Sequence, residues 1–291
     1  TLISLFALNG DSSIIDSTVI DGQNEDCNVS LAGGIDSTTR ISGFTIQNGV
    51  GCVYGQGGGI YTENSSPKLD NLIIKNNGGT LGGGMCLNGN SDAHLENIII
   101  ENNSSEGGGG LYIYNSNPTI ISCTIRNNYA YSGGGAYLTS SNPDMDSITM
   151  HNNEATQKGG AIFCRNGSNP SLRHFTIVNN SAEIGGAIYS ESNSLPNFSS
   201  SILWNNFPQS IYAHEDSLIA IFSNIDNGWI GEGNINTDPL FCDADSIDYS
   251  LAENSPCIGT GEYGSQHGID EHWLYLSYYS TLKFFTFNSR K

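Results

Sequence analysis

The stretch Gly133–Asn153, GGGAYLTSSNPDMDSITMHNN, contains the features that decide the fold. It opens with three glycines, runs into a short apolar segment, turns at Ser-Asn-Pro and ends in a second apolar segment followed by two asparagines. The same order recurs on both sides of it, and the first asparagine returns every 25 to 28 residues. These asparagines are Asn48, Asn76, Asn102, Asn127, Asn152, Asn179 and Asn205. A repeat of this length predicts a solenoid.

The apolar segments are too short, and their glycine-rich turns too loose, to pair as hairpins. Each can instead pair with the equivalent segment one coil away, about 4.8 Å along a rod. No segment keeps a 3.6-residue period, so helices are not expected. The sequence therefore predicts an all-β chain, a single-stranded right-handed parallel β-helix of coils of about 25 residues.

Alternation along the second apolar segment predicts which side chains point inward. Three inward columns are expected, and they start at Leu69, Leu72 and Ile74. Asn76 follows Ile74 by two residues and shares its phase. We therefore predict a structural asparagine ladder formed by Asn48, Asn76, Asn102, Asn127, Asn152, Asn179 and Asn205. The column Lys75, Glu101, Arg126 and His151 is chemically mixed and is expected to face water.

Composition excludes some functions. The chain has 29 acidic and 10 basic residues and a formal net charge of −19, which disfavours binding to nucleic acid because phosphates require Lys and Arg. No apolar stretch is long enough to span a bilayer, so we expect no direct membrane insertion by these residues. The seven cysteines contain no CxxC pair, which disfavours a zinc site. A disulfide between Cys242 and Cys257, which lie close together outside the repeats, is one interpretation.

The segment Gly43–Gly49, GFTIQNG, followed by Gly57–Tyr61, GGGIY, resembles the pectin-lyase-like right-handed β-helix proteins of bacterial surfaces. Gly185–Tyr189, GGAIY, followed by Asn205-Asn206, resembles the polymorphic outer-membrane protein repeat. Asp238–Phe241, DPLF, and later C-terminal motifs extend the resemblance over roughly residues 14 to 261. It implies export to the extracellular space or the bacterial cell surface, associated with an outer membrane, and implies little about activity.

The same resemblance guides the domain prediction. We expect a β-helix over residues 1–261, with regular coils at about 41–206 and irregular coils at 207–261. Residues 262–291 depart from the family pattern, and they are predicted to form an atypical C-terminal tail or a cap over the last coil.

An aromatic row is the main candidate for a binding site. Its residues alternate out of phase with the inward columns, so we expect them to point outward, where aligned rings can stack on sugars or contact a protein. The row consists of Tyr61, Tyr112, Tyr137, Phe163 and Tyr189, and it is interrupted by Cys86. Stacking between coils under a loop is the structural alternative.

Catalytic and metal-binding residues are harder to assign. Enzymes on this fold use a Lys or Arg base near Ca²⁺, or paired carboxylates. The basic residues inside the coils show no convergence by register, and no catalytic residue is assigned. A cluster of His151, Arg173 and His174 is the exception to consider, with solvated surface as its alternative.

Two groups of carboxylates could hold Ca²⁺. Asp144 and Asp146 share a face, with Asp70 and Glu96 in the column of Asp146, although a charged outer face that resists sheet aggregation is the favoured explanation. The second group consists of Asp238, Asp243, Asp245 and Asp248, which are also turn formers. No cofactor is expected beyond this Ca²⁺ alternative.

Three functions remain open. The first is a non-enzymatic extracellular adhesin or glycan-contacting stalk, whose partner is a polysaccharide or a protein on a host or neighbouring cell surface. It is favoured because the coils are nearly regular, whereas enzymes on this fold carry long insertions that wall a cleft. The second is a polysaccharide lyase or glycoside hydrolase that acts in a groove, and the third is an architectural spacer without a ligand.

Overall fold

The computed structural model describes residues 1–4, 6, 11–214 and 218–268. It is an all-β solenoid of about 8 turns, which lie about 26 residues apart along the chain. Strands of successive coils pair in parallel, and their registers join equivalent residues of the repeat. The predicted parallel β-helix is therefore confirmed.

Each coil contributes strands to two long ladders of sheet 1, named ladder 1a and ladder 1b, and to sheet 2. Ladder 1a contains Leu2–Ile3, Arg40–Ser42, Lys68–Lys75, His94–Glu101, Thr119–Ile121, Asp144–Asp146, Ser171–Arg173, Asn197–Ser199 and Ile219–Ile221. Ladder 1b contains Val19–Asp21, Thr45–Gln47, the second halves of Lys68–Lys75 and His94–Glu101, Thr124–Arg126, Thr149–His151, Thr176–Val178, Ile202–Trp204 and Asn224–Ile225.

Sheet 2 follows the glycine clusters. It contains Val29–Ala32, Ile60–Glu63, Met85–Asn88, Leu111–Tyr114, Ala136–Thr139, Ile162–Arg165, Ile188–Ser190 and Ile211–Ala213. A shorter sheet 3 forms between ladder 1b and sheet 2 in three central coils, from Ser104–Gly107, Tyr129–Ser132 and Glu154–Lys158. Sheet 3 lies beside the outer face of sheet 2, the face that presents the aromatic row.

Less regular elements flank the coils. A short helix, Ser13–Ser17, lies near the N-terminus, although no helix was expected from the sequence. Short 3₁₀ turns occur at Val53–Gly55, Ala244–Ser246 and Glu262–Gly264, and an antiparallel hairpin pairs Phe241–Asp243 with Asp248–Leu251. Within the described part of the chain, no helix is both long and apolar enough to cross a membrane. Most of the predicted tail lies outside the described residues, which end at residue 268, so the domain division stays a prediction.

The hydrophobic core occupies the inside of the coils, as the alternation predicts. The columns that start at Leu69, Leu72 and Ile74 are buried throughout, and they form one continuous cluster with the inward residues of sheet 2. One outward residue departs from the prediction. His151 belongs to the column expected to face water, but it is 1% exposed because Tyr249 packs over it.

The asparagine ladder exists, but the prediction of its members was wrong by one residue. Asn76 and its equivalents adopt a left-handed conformation, with φ of 57° at Asn76, and their side chains do not enter the core. That conformation interrupts the period of two, so the following asparagine points inward. The ladder consists of Asn77, Asn103, Asn128, Asn153, Asn180 and Asn206, all buried.

The ladder asparagines from Asn77 to Asn180 each bond to both neighbouring coils. The backbone N–H and the side-chain Nδ2 of Asn103 both donate to Oδ1 of Asn128, at 3.0 Å each. Nδ2 of Asn103 also donates to the carbonyl of Ile74 at 2.9 Å. The buried amide is thereby satisfied, as burial of a polar group requires.

A second ladder, of serines, was not predicted. The backbone N–H of Ser116 donates to Oγ of Ser141 at 3.2 Å, and the N–H of Ser141 donates to Oγ of Ser168 at the same distance. The ladder runs through the buried residues Ser65, Ser91, Ser116, Ser141, Ser168 and Ser194. In most coils its signal in the sequence is a serine two residues before the recurring proline.

The glycine clusters are required by close approach between coils. Gly133 has a φ of 67°, which favours glycine. A Cβ on Gly134 would lie 2.5 Å from the carbonyl oxygens of Glu154 and Gly160 in the next coil. The clusters therefore let backbone pack on backbone at the entry to sheet 2.

The structure does not contain the Cys242–Cys257 disulfide that the sequence left open. Cys242 is exposed and Cys257 is buried, and both are free thiols. The disulfide joins Cys27 to Cys52, which are 25 residues apart. This separation is one coil length, so the two cysteines are neighbours along the rod.

The ladder predicts different costs for adjacent asparagines. Asn128→Ala removes the acceptor for two donors of Asn103 and should lower the free energy of unfolding by about 2–4 kcal/mol. Asn127→Gly is the matched control, because glycine accepts its left-handed φ of 54°, and it should cost less than about 1 kcal/mol. Urea denaturation followed by circular dichroism measures both. A larger loss for Asn127→Gly would contradict the assignment.

The disulfide gives a second prediction. A peptide map under non-reducing conditions should recover Cys27 linked to Cys52 and Cys242 as a free thiol. The double variant Cys27→Ser and Cys52→Ser should lower the free energy of unfolding of the first coils by about 3 kcal/mol. Without the disulfide, the unfolded chain is no longer constrained by a closed loop of this length. Failure to recover the Cys27–Cys52 peptide would refute the pairing, and recovery of a Cys242–Cys257 peptide would refute the assignment of free thiols.

Candidate functional site

The aromatic row is aligned as predicted, but it is less exposed than expected. Its side chains point away from the coil interior, and the strand registers bring them into one line. Adjacent rings of Tyr112, Tyr137, Phe163 and Tyr189 have centroids 4.6 to 5.4 Å apart. However, Tyr61, Phe163 and Tyr189 are at most 5% exposed. The prediction that all five rings are exposed was therefore wrong.

The row continues for one coil beyond the predicted residues. Tyr212 pairs in register with Tyr189, and their rings stack at 5.0 Å with an interplanar angle of 9°. Tyr61, by contrast, is separated from Tyr112 by Cys86, and its hydroxyl accepts a hydrogen bond from Asn88 at 3.2 Å. The structure thus assembles a continuous row from Tyr112 to Tyr212.

Sheet 3 explains why the row is partly covered. A Cβ on Gly107, at the end of a sheet 3 strand, would lie 3.0 Å from the ring of Tyr137. Sheet 3 and sheet 2 thereby enclose a groove of about 280 Å³. Tyr131 and Glu106 line it from the sheet 3 side, and Tyr137 and Phe163 line it from sheet 2. We call this the aromatic groove.

Two cations and a carboxylate also line the aromatic groove. Their convergence was not predicted from the sequence. Lys158 Nζ lies 2.8 Å from Glu191 Oε2 and 4.7 Å from the centroid of the Tyr189 ring. The hydrogen bond with Glu191 raises the pKa of Lys158, although partial burial opposes it. The Lys158 side chain therefore stays charged in the groove.

Arg165 is the second cation. Its Nη1 donates to the hydroxyl of Tyr137 at 3.0 Å, and its Nε is buried without a partner. The hydrogen bond with Tyr137 raises the pKa of Arg165. Its position follows from period two, because Arg165 comes two residues after Phe163 on the same face of one strand. That alternation is the signal that sequence reasoning overlooked.

This set of groups is suited to binding a polar ring. Tyr131 is 54% exposed and offers an aromatic surface, while Lys158, Arg165 and two carboxylates offer donors and acceptors at the walls. Saccharides combine apolar ring faces with many hydroxyls, so this lining matches their chemistry. Both cations are held in the protonated form, which opposes their use as a general base.

The predicted cluster of His151, Arg173 and His174 forms only in part. His174 Nδ1 lies 2.9 Å from Asp146 Oδ1, and Arg173 Nη1 lies 2.7 Å from Asp144 Oδ1. Burial alone would raise the pKa of Asp146, but the hydrogen bond and charge of His174 hold it below its usual value. His151 lies apart, beneath Tyr249. The cluster consists of ion pairs of Arg173 and a hydrogen bond between His174 and Asp146, at the bend between ladders 1a and 1b.

The carboxylates considered for Ca²⁺ have protein partners instead. Nε and Nη2 of Arg40 donate to the two carboxylate oxygens of Asp70, and Glu96 lies 3.1 Å from Lys68 Nζ. Among the described residues, no three His, Cys, Asp or Glu side chains come together as a metal site.

The C-terminal carboxylates act in local turns. Asp238 accepts from the backbone N–H of Leu240, Asp243 from that of Ser246 and Asp248 from that of Ser250. The structure therefore supports their role as turn formers and does not join them with Asp245 into a Ca²⁺ site.

Comparison with known proteins identifies the repeat. A family model described as "Right handed beta helix region" matches residues 4–182 and 58–226. No curated protein matches the chain. One solved structure that is similar is the "Crystal structure of pectate lyase Pel9A", at 11% sequence identity over 89% of this chain and 90% of that chain, with a TM-score of 0.28. The more specific resemblance to polymorphic outer-membrane protein repeats stays a prediction.

Stability measurements can separate the buried rings of the row from the exposed ring of Tyr131, which lines the groove from sheet 3. Phe163→Ala should lower the free energy of unfolding by about 3–5 kcal/mol, because its ring is buried between Tyr137 and Tyr189. Tyr131→Ala should change it by less than about 0.5 kcal/mol, because that ring is largely exposed. Urea denaturation provides both values. Equal losses would show that the groove wall is assigned wrongly.

Proposed function

This chain belongs to the right-handed β-helix family. We propose that it is an extracellular or cell-surface protein that binds saccharides without cleaving them. The aromatic groove is the observation that carries the proposal. It combines an accessible ring, Tyr131, with charged donors and acceptors along a rigid parallel sheet. A rigid scaffold of this kind loses little conformational entropy when it binds a ligand.

Two further observations support the proposal. The Cys27–Cys52 disulfide is typical of an oxidising compartment, which agrees with export. The two cations in the groove are held protonated by Glu191 and by the Tyr137 hydroxyl, so neither is prepared to abstract a proton from a sugar. Binding is therefore favoured over lyase chemistry.

A glycoside hydrolase is the second candidate, and one observation favours it. Glu106 and Glu191 both line the aromatic groove, and hydrolases use two carboxylates that flank the scissile bond. Against this, Glu191 is already paired with Lys158. A spacer with no ligand and an adhesin that binds protein are the remaining alternatives.

A binding assay tests the proposal. The purified chain is passed over a panel of immobilised acidic and neutral polysaccharides, with and without Ca²⁺, while retention, new reducing ends and unsaturated products are followed together. We expect retention on at least one polysaccharide without turnover. Turnover would replace the proposal with the enzyme, and the absence of any retention would leave the spacer or the protein adhesin.

Two tyrosines on one strand provide the matched variants. Tyr131 lines the aromatic groove, whereas Tyr129, which is 47% exposed, lies on the same strand outside its lining. Tyr131→Ala should weaken retention about tenfold, because a stacked aromatic contact contributes about 1 kcal/mol or somewhat more. Tyr129→Ala should leave retention unchanged. Equal effects of the two variants would contradict the groove as the binding site.

A further inference from the structure

The C-terminal segment 235–268, which we call the strap, lies along the outer face of ladder 1b. Its residues Leu251 and Cys257 form a small apolar cluster with Ile202 of ladder 1b. The backbone N–H of Gly268 donates to the carbonyl of Ser200 at 2.8 Å. The strap therefore binds the side of the rod, where it covers an outer surface of sheet 1.

The surface under the strap differs from the same face in earlier coils. One outward column of ladder 1b reads Gln47, Lys75, Glu101, Arg126, His151, Val178 and Trp204 along the registers. Its early members are polar or charged, and its last three are not charged when His151 is neutral. Val178 is 2% exposed, and its register neighbours contact the strap, His151 through Tyr249 and Trp204 through the cluster of Leu251 and Cys257. The strap thus occupies the part of the column that is adapted to be covered.

His151 stands at the boundary between the charged and the covered parts of this column. Its ring packs edge-on against Tyr249 of the strap, with centroids 5.4 Å apart. Its Nδ1 is buried without a hydrogen-bond partner. The register neighbour on the other side is Arg126, which is paired with Glu101 at 2.6 Å. No carboxylate among the described contacts of His151 is free to balance a positive imidazole.

We propose that His151 makes the seating of the strap dependent on pH, so that protonation of its imidazole releases the strap and exposes the apolar surface beneath it. A buried cation beside Arg126, with no acceptor for its second N–H, is more costly than the same cation in water. Release removes this cost because the ring becomes solvated. The inference is independent of the proposed saccharide binding.

The direction of the effect follows from the neutral state of the buried ring. Burial, with a smaller contribution from the charge of Arg126, lowers the pKa of His151 from 6.5 to about 4. The equilibrium between bound and released strap therefore favours the bound strap most at pH values above 6.5, the ordinary pKa of histidine. It shifts towards release as the pH falls from 6.5 to about 4. Between these two pH values, the equilibrium constant for binding of the strap to the rod should fall about tenfold per pH unit.

The other titratable groups in this contact do not oppose the effect. Burial raises the pKa of Tyr249 and of Cys257, so both stay neutral in this range. His267, also buried in the strap, has its pKa lowered by burial and would act in the same direction as His151. Asp238 contributes negative charge near Cys257. The variants described next separate His151 from His267.

Cysteine reactivity offers a direct readout in the full chain. Cys257 is a strap residue buried against Ile202 of ladder 1b, whereas Cys242 on the same segment is exposed and reports the intrinsic reactivity of a thiol at each pH. Dipyridyl disulfide modifies thiols in acid, and mass spectrometry separates the sites. Between about pH 7.5 and about pH 4.5, the rate at Cys257 relative to Cys242 should rise on the order of fiftyfold.

Variants decide whether His151 is responsible. His151→Val introduces the residue that the next coil uses at this position, and it should reduce the acid-induced rise to less than about threefold. His94→Gln, at a partly exposed histidine in ladder 1a, should retain the full rise. Hydrogen exchange of residues 241–251, measured on the same three proteins, should follow the same pattern.

Three results would overturn the proposal. The first is the absence of any rise at Cys257 in the parent chain. The second is an undiminished rise in His151→Val, which would assign the effect to His267 or another group. The third is parallel modification of the buried core thiols Cys123 and Cys164, which would show that acid unfolds the whole rod instead of releasing the strap.

Discussion

The buried amide ladder is the interaction on which the remaining structure depends. An asparagine inside an apolar core must have every polar atom paired, and here the pairing partners are supplied by the coils before and after it. Only one alignment of the coils satisfies this condition. The ladder therefore fixes the register from coil to coil, and the register in turn lines up the outward side chains. The aromatic row on sheet 2 and the covered column on ladder 1b are both consequences of that alignment.

Much of the core could be predicted from the sequence, because period two and the repeat are both local signals. Ile74 and its equivalents were placed inward correctly. The ladder was misplaced by one residue because a left-handed conformation at Asn76 shifts the phase, and alternation alone contains no such shift. The Cys27–Cys52 pair was missed although its spacing equals one coil. In a solenoid, a separation of one coil length is stronger evidence of contact than proximity in sequence.

The candidate site was predictable only in part, because its walls come from different strands. Alternation correctly predicted that Phe163 points outward. Its burial depends on sheet 3, and no local sequence pattern predicts that sheet. Lys158 ends a sheet 3 strand and Arg165 ends a sheet 2 strand, so their convergence required the turn between them. His151 was misassigned for a similar reason, since the strap that covers it lies about a hundred residues later in the chain. The observed surface differs from the predicted one because segments far apart in sequence contact each other.

In the proposed function, the aromatic groove binds a saccharide and leaves it intact. Hydroxyl-radical footprinting with an oligosaccharide from the retained polysaccharide tests it most directly, with product analysis of the same sample. We expect protection of Tyr131, no protection of Tyr129 and an unchanged oligosaccharide. Protection centred on the ion pairs of Arg173 and His174, or cleavage of the oligosaccharide, would contradict it.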